Sequence, residues 1–512
     1  MPSSIANTSI PQQQSTSLTQ SPGTSVTTQG TQSTTSSSLV HGATEFRGHN
    51  STSLPPTPGL AIAVPTIEDA RLHTNYNTLH SSLAYRNAPG TPTEKNRTSE
   101  ASRITTIEPC GISEKTSTNL PPLVLIHGLK GGHLKDVQTG QRRYLRTAQL
   151  FNPTRYQDPP ALPLKRDPVK GTQAKDNLVP DGIIKNVDLL GFNLASFYGP
   201  FIDEFKDSRD LRLFSYDWRR DLDEGGEAIE TFLEQVIKET GSKQGVQVVC
   251  HSMGGLITFP VLNRRPELFH SVLFAAAALG GGISFLRDLA ERDEGNGMGP
   301  INKSMFTPER WVSWPSVWTF FNGTGEREAQ GKSEATWSPL READGTTLVP
   351  CDFHNLDDWK RLKLGPYGPA SSVSEVSSEM EIFLQETLTR AKDYRQQLVH
   401  NPAVNYPPIA VLRSDAAPTI TQLCRPSPDG AFDYDAAFTT PGDGRITLED
   451  TLPPKGVPLS AMITNHVDHS NILGELGDVQ ELLNTLIMES NARRRQSSNT
   501  PDCPDDQPPK IR

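Results

Sequence analysis

The sequence has few cysteines, no long hydrophobic run and no excess of basic residues, and each of these shortages excludes a class of protein. Its five cysteines include no pair with metal-site spacing, and their odd number suits a reducing compartment or partial pairing. No run of about 18 apolar residues occurs, so no transmembrane segment is predicted, while peripheral contact with a lipid surface stays open. The net charge of −10 argues against nucleic-acid binding, which needs a basic surface.

Charged residues are also missing from the first 44 positions, where serine, threonine and glutamine dominate. Such a segment has too little apolar surface to offset the entropy of ordering it. Residues 1–60 are therefore predicted to be disordered, and so is the tail 491–512. Residues 61–105 fit either a short helix packed on the core or an excursion across its surface. The N-terminus lacks the basic start and apolar core of a signal peptide, which predicts a cytoplasmic location.

Six short apolar runs predict buried strands, because parallel strands covered on both faces are continuously hydrophobic. Three amphipathic patterns, at 225–241, 376–399 and 472–489, predict helices between or after them. Strands and helices in alternation indicate an α/β domain, with a mostly parallel sheet, over residues 106–490. The six runs are PLVLIHG ending at Gly128, LRLFSYDW ending at Trp218, VQVVCHS ending at Ser252, SVLFAAAALGGG ending at Gly282, PIAVLRS ending at Ser414 and PLSAMIT ending at Thr464.

Two stretches interrupt the alternation, at about 130–187 and 284–404. Both are too long for ordinary connections, so we interpret them as cap insertions over the functional site. The second stretch contains five of the six tryptophans. Its aromatic residues either form an ordinary subdomain core or also line a lipid-facing groove; they are Trp311, Trp314, Trp318, Phe320, Phe321, Trp337 and Trp359.

The stretch CHSMGG, residues 250–255, lies between a predicted strand and a helix. It resembles the nucleophile elbow G-x-S-x-G, in which a serine occupies a strained turn and its neighbours must be small. Cys250 replaces the first glycine, and a plain strand followed by a glycine turn would also fit. Ser252 is the candidate nucleophile. The earlier strand that ends in His127-Gly128 is a weak signal by itself, but it nominates the backbone amides of Leu129 and Met253 as oxyanion donors.

A serine nucleophile needs a base within hydrogen-bond reach and an acid that orients the base. Asp443, in a Gly-Asp-Gly turn that follows the PIAVLRS strand and an irregular excursion, is the candidate acid. The same three residues would also suit a plain surface turn. His469, in a loop before the last helix, is the candidate base, with His466 as the alternative. The chain order of serine, acid and histidine is that of the α/β-hydrolases.

With these residues, the sequence resembles the lecithin:cholesterol acyltransferase family, which includes lysosomal phospholipase A2-like and diacylglycerol acyltransferase-like enzymes. HGLKGGHL is similar to its oxyanion loop, FSYDWRRD contains its Tyr-Asp-Trp-Arg motif, and CHSMGG is close to its elbow. GDGRI is similar to its acid turn, and WPSVWTFF and VLRSDAAPTI to two further segments. The similarity extends over about Leu123–Leu486 and implies an α/β-hydrolase fold with cap insertions.

The resemblance implies acyl-ester chemistry on lipids through an acyl-enzyme, by an O-acyltransferase or by a phospholipase or lipase. Asp217 of the Tyr-Asp-Trp-Arg motif precedes the serine and is interpreted as structural. The sequence departs from the family in lacking a signal peptide and a lid cysteine pair, and in having Arg445 after the acid turn. A soluble carboxylesterase for small esters and a non-catalytic binding protein on the same fold are the alternatives. No metal or organic cofactor is expected.

Overall fold

A computed structural model describes residues 120–145, 160–189, 192–291, 305–323, 326, 338–369, 371, 373 and 375–498. The predictions for 1–60 and 61–105 lie outside these residues. No helix within the described part of the chain is both long enough and apolar enough to span a bilayer. Its strands are β1 (Leu123–Ile126), β2 (Gly132–Asp136), β3 (Arg142–Tyr144), β4 (Leu178–Ile183), β5 (Asn186–Leu189), β6 (Phe192–Ser196), β7 (Leu211–Phe214), β8 (Val246–His251), β9 (Phe269–Ala275), β10 (Leu340–Arg341), β11 (Ile409–Ser414), β12 (Ala417–Cys424), β13 (Asp433–Gly442) and β14 (Ala461–Asn465).

The helices lie mostly between the strands of the main sheet and in the second insertion. Within the described residues, four short 3₁₀ helices, at Pro266–Leu268, Ile283–Phe285, Gly365–Tyr367 and Ile472–Gly474, supplement them. The α-helices in this part of the chain are α1 (Gly199–Phe205), α2 (Leu222–Thr240), α3 (Met253–Arg264), α4 (Leu286–Ala290), α5 (Pro308–Val312), α6 (Pro315–Trp318), α7 (Leu356–Arg361), α8 (Ser378–Arg395) and α9 (Leu476–Ser498).

The central sheet has the order β14-β11-β9-β8-β1-β7, and every neighbouring pair is parallel. Its six strands are the six apolar runs predicted from the sequence. The chain moves from β7 at one edge to β8 on the far side of β1, so the carboxyl ends of β1 and β8 are neighbours. This places the loop after His127 beside the turn that contains Ser252.

Helices cover both faces of this sheet. Alternate residues of a strand point to opposite faces, so β1 contributes side chains to a core cluster on each side. On one face, Val124 and Ile126 of β1 lie in a core cluster with residues of α2 and α3. On the other face, Leu123 and Leu125 lie in a cluster with residues of α1 and α9. The predicted α/β-hydrolase class, a parallel sheet with helices on both faces, is confirmed.

The segment between the PIAVLRS strand and Asp443 differs from the prediction. It is an antiparallel hairpin of β12 and β13, whereas the sequence predicted an irregular excursion. Most residues of β13 are exposed, so the segment lacks the apolar run that marks a buried strand. The hairpin returns the chain to the central sheet and ends at Gly442, immediately before Asp443.

The two predicted insertions contain structure of their own. In 130–187, β2 pairs with β3 and β4 in a small antiparallel sheet, and 284–404 contributes α4 to α8. The boundary predicted for the C-terminal tail was wrong, because α9 continues to Ser498 rather than ending near 490. Alanine and arginine are good helix formers, and Arg493 adds a hydrogen bond to the Tyr406 carbonyl oxygen at 3.0 Å.

Candidate active site

Ser252 occupies the sharp turn between the last residue of β8 and the first residue of α3. Its φ of 54° and ψ of −122° are a strained conformation for a residue with a side chain. The turn needs small neighbours: a Cβ on Gly254 would lie 2.8 Å from the His127 carbonyl oxygen, and one on Gly255 would lie 2.5 Å from the Ala277 Cβ. The predicted strand, strained serine and helix are therefore all present.

His469 lies between the other two candidate residues. Its Nε2 is 2.9 Å from the Ser252 Oγ, and its Nδ1 is 2.7 Å from Asp443 Oδ2. A carboxylate only accepts, so Nδ1 carries the proton and Nε2 is left to accept the serine O–H. The His469 backbone N–H also donates to the Asp443 carbonyl oxygen at 3.0 Å. Three residues that are far apart in the sequence thus form one hydrogen-bonded chain.

The Asp443 carboxylate is buried and held by donors on both oxygens. Its Oδ1 accepts the backbone N–H groups of Arg445 at 2.9 Å and Ile446 at 2.7 Å, while Oδ2 accepts His469. Burial alone would raise its pKa, but the charge and hydrogen bond of His469 and the two backbone donors lower that pKa below its usual value. Asp443 is therefore ionised at neutral pH, as an acid that orients a histidine must be.

The structure separates the two histidines and the two aspartates that the sequence offered. His466 is exposed and pairs with Asp415, its Nδ1 lying 2.5 Å from Asp415 Oδ1. Asp217 pairs with the buried Arg219 at 2.7 Å, in the structural role predicted for it. Neither His466 nor Asp217 belongs to the chain of hydrogen bonds that ends at Ser252.

The loop predicted to supply an oxyanion donor lies against the turn that contains Ser252. A Cβ on Gly128 would be 2.7 Å from the Ser252 Cβ, so only glycine allows this approach. Within the described part of the chain, no acceptor is bonded to the backbone N–H of Leu129 or Met253. Both amides thus have the free hydrogen that an oxyanion donor requires.

The Tyr-Asp-Trp-Arg motif holds this loop from outside the site. The Tyr216 hydroxyl donates to the His127 carbonyl oxygen at 3.1 Å, and its ring stacks on the His127 imidazole at 4.4 Å. Trp218 Nε1 donates to the Gly132 carbonyl oxygen at 2.9 Å. The motif therefore fixes both ends of the loop. Sequence reasoning identified the motif but did not predict this support.

A mainly apolar pocket opens beside Ser252, and both insertions contribute to it. Lys130 and Arg445 also line it, and no carboxylate is among the described residues of its wall. Arg445 pairs with Asp288 at 2.5 Å and lies over the Phe285 ring at 4.6 Å, so the residue that follows the Gly-Asp-Gly turn lies in the wall of the pocket that also contains Ser252. The apolar wall comprises Leu129, Tyr144, Leu145, Ile184, Phe197, Tyr198, Phe285, Met305 and Phe306.

The tryptophans among the described residues do not line this pocket. Trp311, Trp314, Trp318 and Trp359 are each at most 1% exposed and pack within the main core cluster. These four side chains are therefore buried core residues, and the cluster that they join also contains residues of the central sheet. Trp337 lies outside the described residues. The pocket instead uses Phe285 and Phe306, which have no distinguishing pattern in the sequence. Among the described residues, no group of three or more His, Cys, Asp or Glu side chains is placed to hold a metal ion.

Two buried histidines beside the site predict that acid destabilises the protein. Burial lowers the pKa of His127 to about 4, and burial together with the nearby His469 lowers that of His251 to about 3. Both are neutral in the folded chain at pH 7, whereas the unfolded chain takes up these protons near the ordinary value of 6.5. The unfolded state binds more protons, so the free energy of unfolding should fall as the pH drops below about 6.5.

Urea unfolding measured from pH 8 to pH 5 tests this prediction. The free energy of unfolding should change little above pH 7 and fall towards pH 5, by on the order of several kcal/mol for the two groups together. The exposed His466 serves as the control, since His466→Ala should leave the fall intact. Equal stability at pH 8 and pH 5 would contradict the prediction.

Comparison with known proteins agrees with the resemblance seen in the sequence. Residues 205–302, which include the Tyr-Asp-Trp-Arg motif and the elbow, match the lecithin:cholesterol acyltransferase family. An uncharacterized Saccharomyces cerevisiae protein, YJR098C, is 22% identical over 447 residues, covering 74% of this chain. The aligned region spans only 63% of the yeast protein's own length.

Solved structures with a similar course of the chain include two whose sequences are distant. The Tle4-Tli4 complex matches with a TM-score of 0.43 and 10% identity, over 72% of this chain and 98% of the matched chain. The mature Bacillus licheniformis lipase BlEst2 matches with a TM-score of 0.28 and 12% identity, over 72% of this chain and 91% of that one.

Proposed function

We propose that this chain, which resembles the lecithin:cholesterol acyltransferase family over residues 205–302, is a serine-dependent lipid acyl hydrolase or O-acyltransferase. The observation that carries the proposal is the hydrogen-bonded series Ser252, His469 and Asp443, whose first two members line a mainly apolar pocket. A serine hydroxyl becomes a competent nucleophile only when such a base and acid are in place.

In the proposed reaction, the Ser252 oxygen attacks the ester carbonyl carbon while its proton passes to His469 Nε2. Asp443, ionised and bonded to Nδ1, stabilises the imidazolium that forms. The imidazolium then gives its proton to the departing alcohol, and the acyl group stays on Ser252 as an ester. Water or an acceptor alcohol, deprotonated by His469, attacks this ester and restores the serine.

The negative charge on the carbonyl oxygen would be received by the backbone N–H groups of Leu129 and Met253. Preorganised donors are worth about 3 kcal/mol each in serine enzymes, because they do not have to reorient during the reaction. The close approach of Gly128 to Ser252 supports this assignment, since it brings the Leu129 loop next to the attacked carbon.

The pocket supports a lipid as the acyl donor. Its wall next to Ser252 is formed largely by aliphatic and aromatic side chains, among them Leu145, Ile184, Phe285, Met305 and Phe306. An acyl chain that leaves water for such a wall gains about 0.8 kcal/mol for each buried methylene. A small ester would leave most of this surface unused.

Product analysis on phospholipid vesicles, with and without a long-chain alcohol or sterol, tests the proposal. Free fatty acid in both mixtures identifies a phospholipase, and a new ester in the second mixture identifies an acyltransferase. Mass spectrometry distinguishes these products. If Ser252 reacts with a fluorophosphonate probe but only short-chain esters are turned over, the protein is a small-ester carboxylesterase. Absence of both labelling and turnover would contradict an enzymatic function.

A further inference from the structure

Tyr198 and His251 form a buried chain of hydrogen bonds beside the proposed catalytic residues. The Tyr198 oxygen is 2.8 Å from the Gly128 backbone nitrogen and 2.8 Å from His251 Nδ1. On the other side of the imidazole, His251 Nε2 is 2.9 Å from the His469 carbonyl oxygen. Tyr198 and His251 are only 4% and 6% exposed.

The direction of every bond in this chain follows from its two ends. The Gly128 N–H can only donate, so the Tyr198 oxygen accepts it and has one hydrogen left to give. The His469 carbonyl can only accept, so His251 Nε2 carries a hydrogen. In the neutral imidazole, Nδ1 then lacks a hydrogen and accepts the Tyr198 O–H. The deep burial of His251 favours this neutral form.

The chain joins two parts of the site that are distant in the sequence. Its first member, Gly128, immediately precedes the proposed oxyanion donor Leu129. Its last acceptor belongs to the proposed base His469, whose own N–H is bonded to Asp443. The backbone of His469 is thus held on both sides, by Asp443 at its amide and by His251 at its carbonyl.

We propose that Tyr198 and His251 are positioning residues that couple the oxyanion loop to the backbone of the catalytic histidine. This inference rests on the proposed function and assigns neither residue a direct part in bond making. With the chain intact, the Leu129 amide and His469 Nε2 are set at the same time relative to Ser252. When the chain is broken, each relaxes separately, and the alignment needed for attack is lost.

Tyr198→Phe is the first test, because it removes only the hydroxyl. We expect kcat for a long-chain ester to fall by about 10-fold or more, with KM unchanged within about twofold. The kcat is expressed per active site titrated with a fluorophosphonate, so that misfolded enzyme does not count. The matched control is Tyr406→Phe: the Tyr406 hydroxyl accepts the Asn401 N–H at 2.9 Å and donates to Asn263 Oδ1 at 2.6 Å, away from the site. This control should keep the wild-type kcat.

His251 variants provide a rescue test. His251→Leu removes both bonds and should lower kcat, whereas His251→Gln keeps an amide N–H that reaches towards the His469 carbonyl and should restore part of the loss. The double variant Tyr198→Phe/His251→Leu should be no worse than His251→Leu alone, since either change interrupts the same chain.

The outcomes separate this inference from the proposed function. If the wild type labels at Ser252 and turns over esters but Tyr198→Phe keeps its kcat, the positioning role is overturned and the function stands. Equal losses in Tyr198→Phe and Tyr406→Phe, or fully additive losses in the double variant, also overturn the role. If the wild type neither labels nor turns over esters, both proposals fail.

Discussion

Ser252→Ala should lower kcat for a lipid ester by about 10⁵-fold or more and abolish fluorophosphonate labelling, while the protein stays folded. The loss is large because the substitution removes the only atom to which the acyl group is transferred in the proposed reaction. The fold should persist because Ser252 makes no side-chain cap for α3, and alanine fits the same small space. Turnover per folded molecule, with urea unfolding as the check on folding, is the measurement.

A matched serine tests whether the effect is specific. The Ser338 hydroxyl donates to the Val349 carbonyl oxygen and is buried outside the pocket beside Ser252. Ser338→Ala loses a buried hydroxyl as Ser252→Ala does, yet it should keep both labelling and kcat. The nucleophile assignment fails if Ser252→Ala turns over lipid esters at a rate comparable with the wild type.

The second large effect is expected at His469, and it decides between the two histidines that the sequence offered. His469→Ala should lower kcat by about 10⁴-fold or more, because Ser252 then has no base. His466→Ala should change kcat by no more than about twofold, since its exposed imidazole contacts Asp415 and not the serine. Steady-state kinetics on one ester substrate compares the two variants directly.

Asp443 and Asp415, the carboxylates that contact His469 and His466, allow the same comparison. Asp443→Asn should reduce kcat by about 10⁴-fold, because an amide can present its N–H to the imidazole and impose the wrong tautomer. Asp415→Asn changes only the surface pair with His466 and should have a small effect. The reverse pattern, with losses in His466→Ala and Asp415→Asn, would exchange the roles of the two pairs.

The sequence predicted the central sheet well because its four inner strands, β1, β8, β9 and β11, are buried on both faces and are therefore continuous apolar runs. The dependence of prediction on buried apolar residues also explains the two main errors of the prediction. The β12–β13 hairpin has no such run, because most of β13 is exposed and only three of the eight residues of β12 are buried, so it was interpreted as irregular. The last eight residues of α9 were assigned to a tail, because polar, arginine-rich sequence resembles a solvated end unless its contacts with the domain are known.

The candidate site residues could be predicted because two of the site's structural requirements fall on consecutive residues of the chain. A nucleophile turn needs small residues in successive positions, and a carboxylate can accept two backbone N–H groups only in a tight turn such as that of Asp443. These requirements fall on neighbouring residues, so they can be seen in the sequence. Chain order then suggested which acid to combine with the serine, and it left two histidines, His466 and His469, as candidates for the base.

The sequence by itself determined the strands of the central sheet and the residues from which a serine, an acid and a base could be chosen. Only the tertiary structure decided that His469, and not His466, faces Ser252, since the two histidines are three residues apart and equally polar. The tertiary structure alone also revealed Tyr198, whose hydroxyl is hydrogen-bonded to Gly128 and His251, which are 70 and 53 residues away in the sequence. Such contacts leave no local pattern, because they depend on which strand ends the sheet brings together.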